Sequence, residues 1–221
     1  MTNSKAKLII AIAVNIAVIV LGIIGDVMDF GRNGLGMLGF YTIDSNIFAQ
    51  IACAVTAVFL MKKLVQGGGV PGWVTTLKYM SACCVAVTFT VVVAVLAPMA
   101  GPGGYGVMLF SSSMLYLHFL CPLLTVASCI FLDGGQRLPK NAALIALIPT
   151  ALYALTAGVL NLTGAMHGPY PFLCVYEQPW WMSVIWLAVI LCGAWLLALI
   201  IQLAADRAGR PPMPPVPDKF T

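Results

Sequence analysis

The sequence predicts an all-α, polytopic integral membrane protein with six transmembrane helices and both termini cytoplasmic. Three observations predict it. Only 8% of the 221 residues are charged and 61% are apolar, whereas a soluble domain carries about 25% charged residues. Long stretches carry no charge at all, at 8–25, 45–61, 79–132, 141–176 and 178–205. The basic residues collect between those stretches. A helix needs roughly 20 apolar residues to cross a hydrocarbon core about 30 Å thick. Such a composition excludes a soluble globular domain, a disordered chain and a nucleic-acid binder. The expected location is the cell membrane, crossed several times.

The first helix is expected at 8–25. Its apolar run is longer than a signal-peptide core and no small-x-small cleavage pattern precedes Asp26, so it reads as an uncleaved span. A loop holding Asp26, Asp29 and Arg32 should follow. The second helix, at 42–61, stops at Lys62 and Lys63. The third is expected at 77–96, with Lys78 at its start. The charge-free interval 79–132 has 54 residues, which as one helix would be about 80 Å long. It must therefore fold back, and Pro98-Met-Ala-Gly-Pro-Gly-Gly-Tyr105 supplies the turn. That leaves a fourth helix at 108–132 and a fifth at 142–160. A loop punctuated by Gly164, Gly168, Pro169 and Pro171 precedes the sixth, at 180–204. These spans form one domain over 1–206, and 207–221 is a Pro-rich cytoplasmic tail. Ten of the eleven basic residues then fall on one side, Arg32 being the exception, which sets the orientation by the positive-inside rule.

Seven cysteines are present. Six lie within spans, where a thiol is a small apolar filler, so no disulfide framework is expected. No spacing suggests a structural metal site, and no cofactor is expected. His167 falls in an outer loop. His118 lies inside the fourth helix, where an ionisable group is costly and faces the bundle interior or a wet cavity.

The second helix carries a polar stripe at helical spacing: Thr42, Ser45, Asn46, Gln50 and Cys53. The fourth carries another around His118: Ser111, Met114, Cys121, Pro122 and Thr125. Pro122 has no N–H, so a kink and a free carbonyl are expected beside the imidazole. Two readings of Thr42 are open. It stands where an N-cap belongs. It also stands where helix N–H groups can stabilise an oxyanion, with His118 as the base its hydroxyl would need. Cys121 is the competing nucleophile. Asp26, Asp29 or Asn46 could each orient His118. Counting inward from Lys62 and Asp133 puts His118 about 7 Å deeper than Thr42, a gap that tilt or bending must close.

Tyr41-Thr42-Ile43-Asp44-Ser45-Asn46 resembles the helix 2 motif of the androgen-induced membrane hydrolase family. Leu117-His118-Phe119-Leu120-Cys121-Pro122 resembles its helix 4 motif, and Tyr170-Pro171-Phe172-Leu173 its outer-loop signature. Tyr153 and Phe131-Leu132-Asp133 fit as well; Cys174 stands where that family has a polar or acidic residue. The resemblance implies an intramembrane threonine hydrolase acting on fatty acid esters, such as those of hydroxy fatty acids. It implies Thr42 as nucleophile and His118 as base. Ser45, Asn46, Gln50, Cys121, Thr125, Tyr153 and Tyr170 are the expected supporting or pocket-lining residues, and the partner is a lipid drawn from the bilayer. Two other readings stay open: a lipid-binding protein or transporter whose polar cluster holds a headgroup, and a membrane acyltransferase.

Overall fold

A computed structural model describes residues 2–208. The described residues form an all-helical structure and include six helices long and apolar enough to cross a membrane. In order they are α1 (Thr2–Asn33), α2 (Tyr41–Gln66), α3 (Gly72–Met99), α5 (Ser112–Leu132), α6 (Ala142–Leu162) and α7 (Trp180–Arg207), and a short α4 (Gly104–Phe110) sits between α3 and α5. Most of the expected Pro-rich tail lies outside the described residues.

α3 is the centre of the bundle. In its most apolar stretch 56% of the residues are buried, against 17% for α7, which spends most of its surface facing outward. α1 packs on α2 and α5, α2 on α3, and α3 on α5 and α7. The approach of α1 is close because Gly22 and Gly25 lack side chains. A Cβ on Gly25 would stand 2.7 Å from the Leu117 side chain, and one on Gly22 would stand 2.6 Å from that of Gln50.

Several features differ from expectation. α1 runs past Asp26 and Asp29 because both acids find partners across the bundle. Gln50 Nε2 donates to Asp26 at 2.7 Å, and Ser113 Oγ faces Asp29 at 3.4 Å. The expected helix 108–132 is broken: Ser111 is extended and Ser112 adopts φ 45°, so 104–110 folds separately as α4. Before Pro122, α5 adopts a wide turn over Leu115–Leu120, and the Cys121 N–H reaches back to the Tyr116 carbonyl. Finally, Lys78 does not stand at the start of its helix. α3 starts at Gly72, which puts Lys78 more than a turn inside the helix, and it is 2% exposed.

Lys78 anchors a polar knot among four helices. Its Nζ donates to Asn15 Oδ1 and to Cys53 Sγ, both at 2.8 Å, and lies 3.8 Å from Asp133 Oδ2. Asn15 Nδ2 donates to Asp133 Oδ1 at 2.7 Å. A charge buried in an apolar bundle persists when it is paired and hydrogen-bonded, and this knot meets both conditions while fixing the register of α1, α2, α3 and the end of α5.

Candidate functional site

The N-terminus of α2 is capped without any help from Thr42. Phe40 occupies the cap position in extended conformation, and its carbonyl accepts the N–H groups of Ile43 at 3.0 Å and Asp44 at 3.2 Å. The Thr42 hydroxyl is left free to face inward. Thr42 Oγ1 lies 3.2 Å from His118 Nε2 and 3.5 Å from Tyr170 Oη, and all three residues are buried. The Thr42 N–H points at Tyr170 Oη, 3.4 Å away.

His118 is oriented by none of the three side chains the sequence offered. Its Nδ1 sits 2.7 Å from the backbone carbonyl of Met108 in α4. A carbonyl only accepts, so Nδ1 carries the proton. In the neutral ring Nε2 is then left with its lone pair toward the Thr42 hydroxyl. The arrangement is a nucleophile–base pair with a third group holding the base. Asn46 braces the pair from below: its Nδ2 donates to the Thr42 carbonyl at 2.8 Å and to the Leu117 carbonyl at 3.0 Å, tying α2 to α5.

Tyr170 arrives on the loop between α6 and α7. Asn161 pins that loop with two bonds to Gly168, donating to its carbonyl at 2.7 Å and accepting its N–H at 2.9 Å. The Tyr170 ring stacks on Phe172, with centroids 5.1 Å apart, and meets Phe40 edge-on. Burial pushes the phenol's pKa up, although the contacts with Thr42 pull the other way. The group therefore stays protonated and able to donate at any physiological pH.

Two cavities flank this trio. One, about 440 Å³, is lined by Asp29, Met108, His118, Thr42 and Tyr170. The other, about 240 Å³, is lined by Thr42 and Tyr170 together with Val87, Val91, Trp186 and Ile190, and no charged residue borders it. Val184 and Leu187 on its rim are exposed on the outside of the bundle, so it opens sideways between α3, α6 and α7.

The remaining expected site residues are dispersed. Tyr153 borders the apolar cavity and donates to the Gly39 carbonyl at 2.8 Å. Ser45 bonds Thr88 at 2.8 Å and faces a third cavity between α2 and α6. Gln50 is turned to Asp26. Cys121 packs with Val18 and Cys53, and its thiol faces the Val18 carbonyl at 3.7 Å. Thr125 is fully buried farther along α5. Ser111 leaves the α5 stripe because it lies in the break before that helix. His167 is exposed and contacts Glu177 at 3.0 Å. Among the described residues no group of three or more His, Cys, Asp or Glu is arranged to hold a metal ion.

Sequence reasoning missed the Met108 carbonyl and the clamp at Asn161. The first has no side-chain signature. For the second a signal existed, since an asparagine at the end of an apolar helix needs partners.

A scan against protein-family models, a search of curated proteins and a search of solved structures found no match to this chain.

Proposed function

We propose that the protein is an integral membrane lipid esterase, related to the androgen-induced hydrolases, with Thr42 as nucleophile and His118 as base. The observation that carries the reading is the 3.2 Å contact between Thr42 Oγ1 and His118 Nε2, with Nδ1 of the same ring held at 2.7 Å by the Met108 carbonyl. A threonine hydroxyl and an imidazole with its far nitrogen already protonated are what base-assisted attack requires.

In this reading His118 Nε2 takes the Thr42 hydroxyl proton as the oxygen attacks the ester carbonyl carbon. Negative charge collects on the former carbonyl oxygen. The Thr42 N–H, which donates to Tyr170 Oη, and the Tyr170 hydroxyl, beside Thr42 Oγ1, are the donors this reading assigns to that oxygen. The tetrahedral adduct collapses as the imidazolium returns its proton to the departing alcohol oxygen, leaving Thr42 acylated. Water, deprotonated by His118, then attacks the acyl carbon and releases the fatty acid with Thr42 restored.

The membrane geometry follows the same reading. The positive-inside distribution of basic residues supports cytoplasmic termini, with the start of α2 and the site in the outer half of the cell membrane. The sideways opening of the apolar cavity supports entry of an acyl chain directly from lipid. Fatty acid esters of hydroxy fatty acids are the first substrates to test.

The purified protein should hydrolyse lipid esters in detergent micelles. Thr42→Ala and His118→Ala should each lose turnover while folding normally. A fluorophosphonate probe should attach to Thr42, and to no residue in the Thr42→Ala variant. Undiminished turnover in either variant removes that residue from the mechanism.

A further inference from the structure

The esterase reading requires the two halves of the substrate to leave Thr42 in different directions, and the structure distinguishes those directions. In the first half-reaction the bond between the acyl carbon and the alcohol oxygen breaks, and that oxygen takes the proton held on His118 Nε2. The alcohol half must therefore lie where His118 can reach it. His118 lines the 440 Å³ cavity and not the apolar one. The acyl chain is left with the apolar cavity.

The alcohol cavity has one charged wall residue, Asp29, which is 4% exposed. Its carboxylate is held by neutral donors, Asn33 Nδ2 at 3.1 Å and Ser113 Oγ at 3.4 Å. None of the ion pairs among the described residues includes it. The nearest basic residue in sequence, Arg32, turns its guanidinium to the Ser112 hydroxyl instead. A buried carboxylate without a cation is unfavourable, and a cation entering beside it gains a desolvated pairing. The rest of the wall suits a soft cation: the rings of Phe40 and Tyr170 and the thioethers of Met99, Met108 and Met114.

We propose that the alcohol half of the preferred substrate carries a positive charge a few bonds from the ester oxygen, as an amino alcohol does. The inference rests on the esterase reading. A carboxylate equally close to the ester would face Asp29 with no compensating base. Esters of hydroxy acids are accommodated only where their carboxylate projects beyond the cavity.

The test compares hexadecanoyl esters of choline, of neohexanol (its neutral isostere) and of glycolate, with the full-length protein in detergent micelles. The choline ester should exceed the neohexyl ester by roughly tenfold or more in kcat/KM, mostly through KM, because the pair at Asp29 forms on binding. The glycolate ester should be poorest. In Asp29→Asn the choline-to-neohexyl ratio should fall toward unity, and Asp29→Glu should retain the preference. Tetramethylammonium should inhibit the wild-type protein competitively, a readout that depends on no variant. A wild-type ratio at or below unity, or absence of that inhibition, overturns the proposal. So does an Asp29→Asn variant that slows both esters equally, since Asp29 would then act through His118 or through folding. If the wild-type protein hydrolyses none of the three, nor any other lipid ester, the esterase reading falls and takes this proposal with it. Hydrolysis that depends on Thr42 and His118 but ignores charge removes this proposal alone.

Discussion

Removing the Tyr170 hydroxyl is the most informative single perturbation of the site. Tyr170→Phe keeps the ring, so the stack on Phe172 at 5.1 Å and the edge contact with Phe40 persist. The loop remains pinned by Asn161. What disappears is one oxygen, 3.4 Å from the Thr42 N–H and 3.5 Å from Thr42 Oγ1. If that hydroxyl serves the oxyanion, its loss is felt in the transition state far more than in the bound substrate. Deleting one such donor lowers kcat by about 100-fold or more, roughly 2.7 kcal/mol, and leaves KM little changed. The cost to folding is that of one neutral hydrogen bond, about 1 kcal/mol. Steady-state hydrolysis of one ester over a range of concentrations separates the two parameters, and thermal unfolding in the same detergent reads the second cost. A kcat within threefold of wild type would refute the assignment. A rise in KM at constant kcat would make Tyr170 a wall of the cavity and no more.

Further expectations follow from the packing. Asn161→Ala should loosen the loop that carries Tyr170, lowering kcat by an amount that the Tyr170→Phe background no longer shows; additive losses in the double variant would separate the two residues. Gly25→Val should force the α1–α5 contact apart at Leu117, next to His118, and reduce turnover without touching substrate; wild-type kinetics in that variant would show that the contact tolerates displacement. Lys78→Met leaves Asp133 buried with its bond from Asn15 and no cation beside it, and should destabilise the bundle by about 3–5 kcal/mol; an unfolding midpoint unchanged in detergent would count against the knot. Because burial raises the Tyr170 pKa above its ordinary value of 10.0, the protonated phenol is favoured in the folded state. Its contribution to stability is therefore complete below about pH 10 and declines as pH rises beyond that. An alkaline unfolding limb that Tyr170→Phe leaves in place would deny it that part.

What the sequence made legible follows from the scale of each signal. Six spans were readable because each is a long apolar run, and a run of that kind has no alternative to crossing or burial. Thr42 and His118 were readable as a pair because hydroxyl and imidazole at bundle depth need a partner. The break at Ser111 and Ser112 was hidden inside an uncharged interval, where hydropathy alone draws one helix through 108–132. It decides the site nonetheless, since it turns α4 back so that the Met108 carbonyl meets His118. Hydropathy registers how apolar a segment is and not where its chain direction changes. Similarly, hydropathy does not register the wide turn over Leu115–Leu120, where the Leu117 carbonyl, five residues before Pro122, accepts a bond from Asn46 Nδ2.

The expected depth mismatch between Thr42 and His118 has a definite origin. The count took Lys62 and Asp133 as marks at one level, on the premise that charged residues bound a span. Asp133 instead lies beside Lys78, whose ammonium touches Cys53 at 2.8 Å. Cys53 is nine residues inward of Lys62 along α2, a rise of about 13 Å. Shifting one mark by that distance turns a gap of about 7 Å into one of about 6 Å in the opposite sense, so the mismatch came from two marks that do not lie at one level. The two polar features of the bundle are thus linked. The knot at Lys78 draws Asp133 into the interior, the length of α5 above Asp133 is fixed by its apolar run, and that length delivers His118 to the start of α2. A change that releases Asp133 toward the bundle's end should therefore slide α5 along its axis and separate the Thr42–His118 pair, although the knot lies some 11 residues from Thr42 along α2.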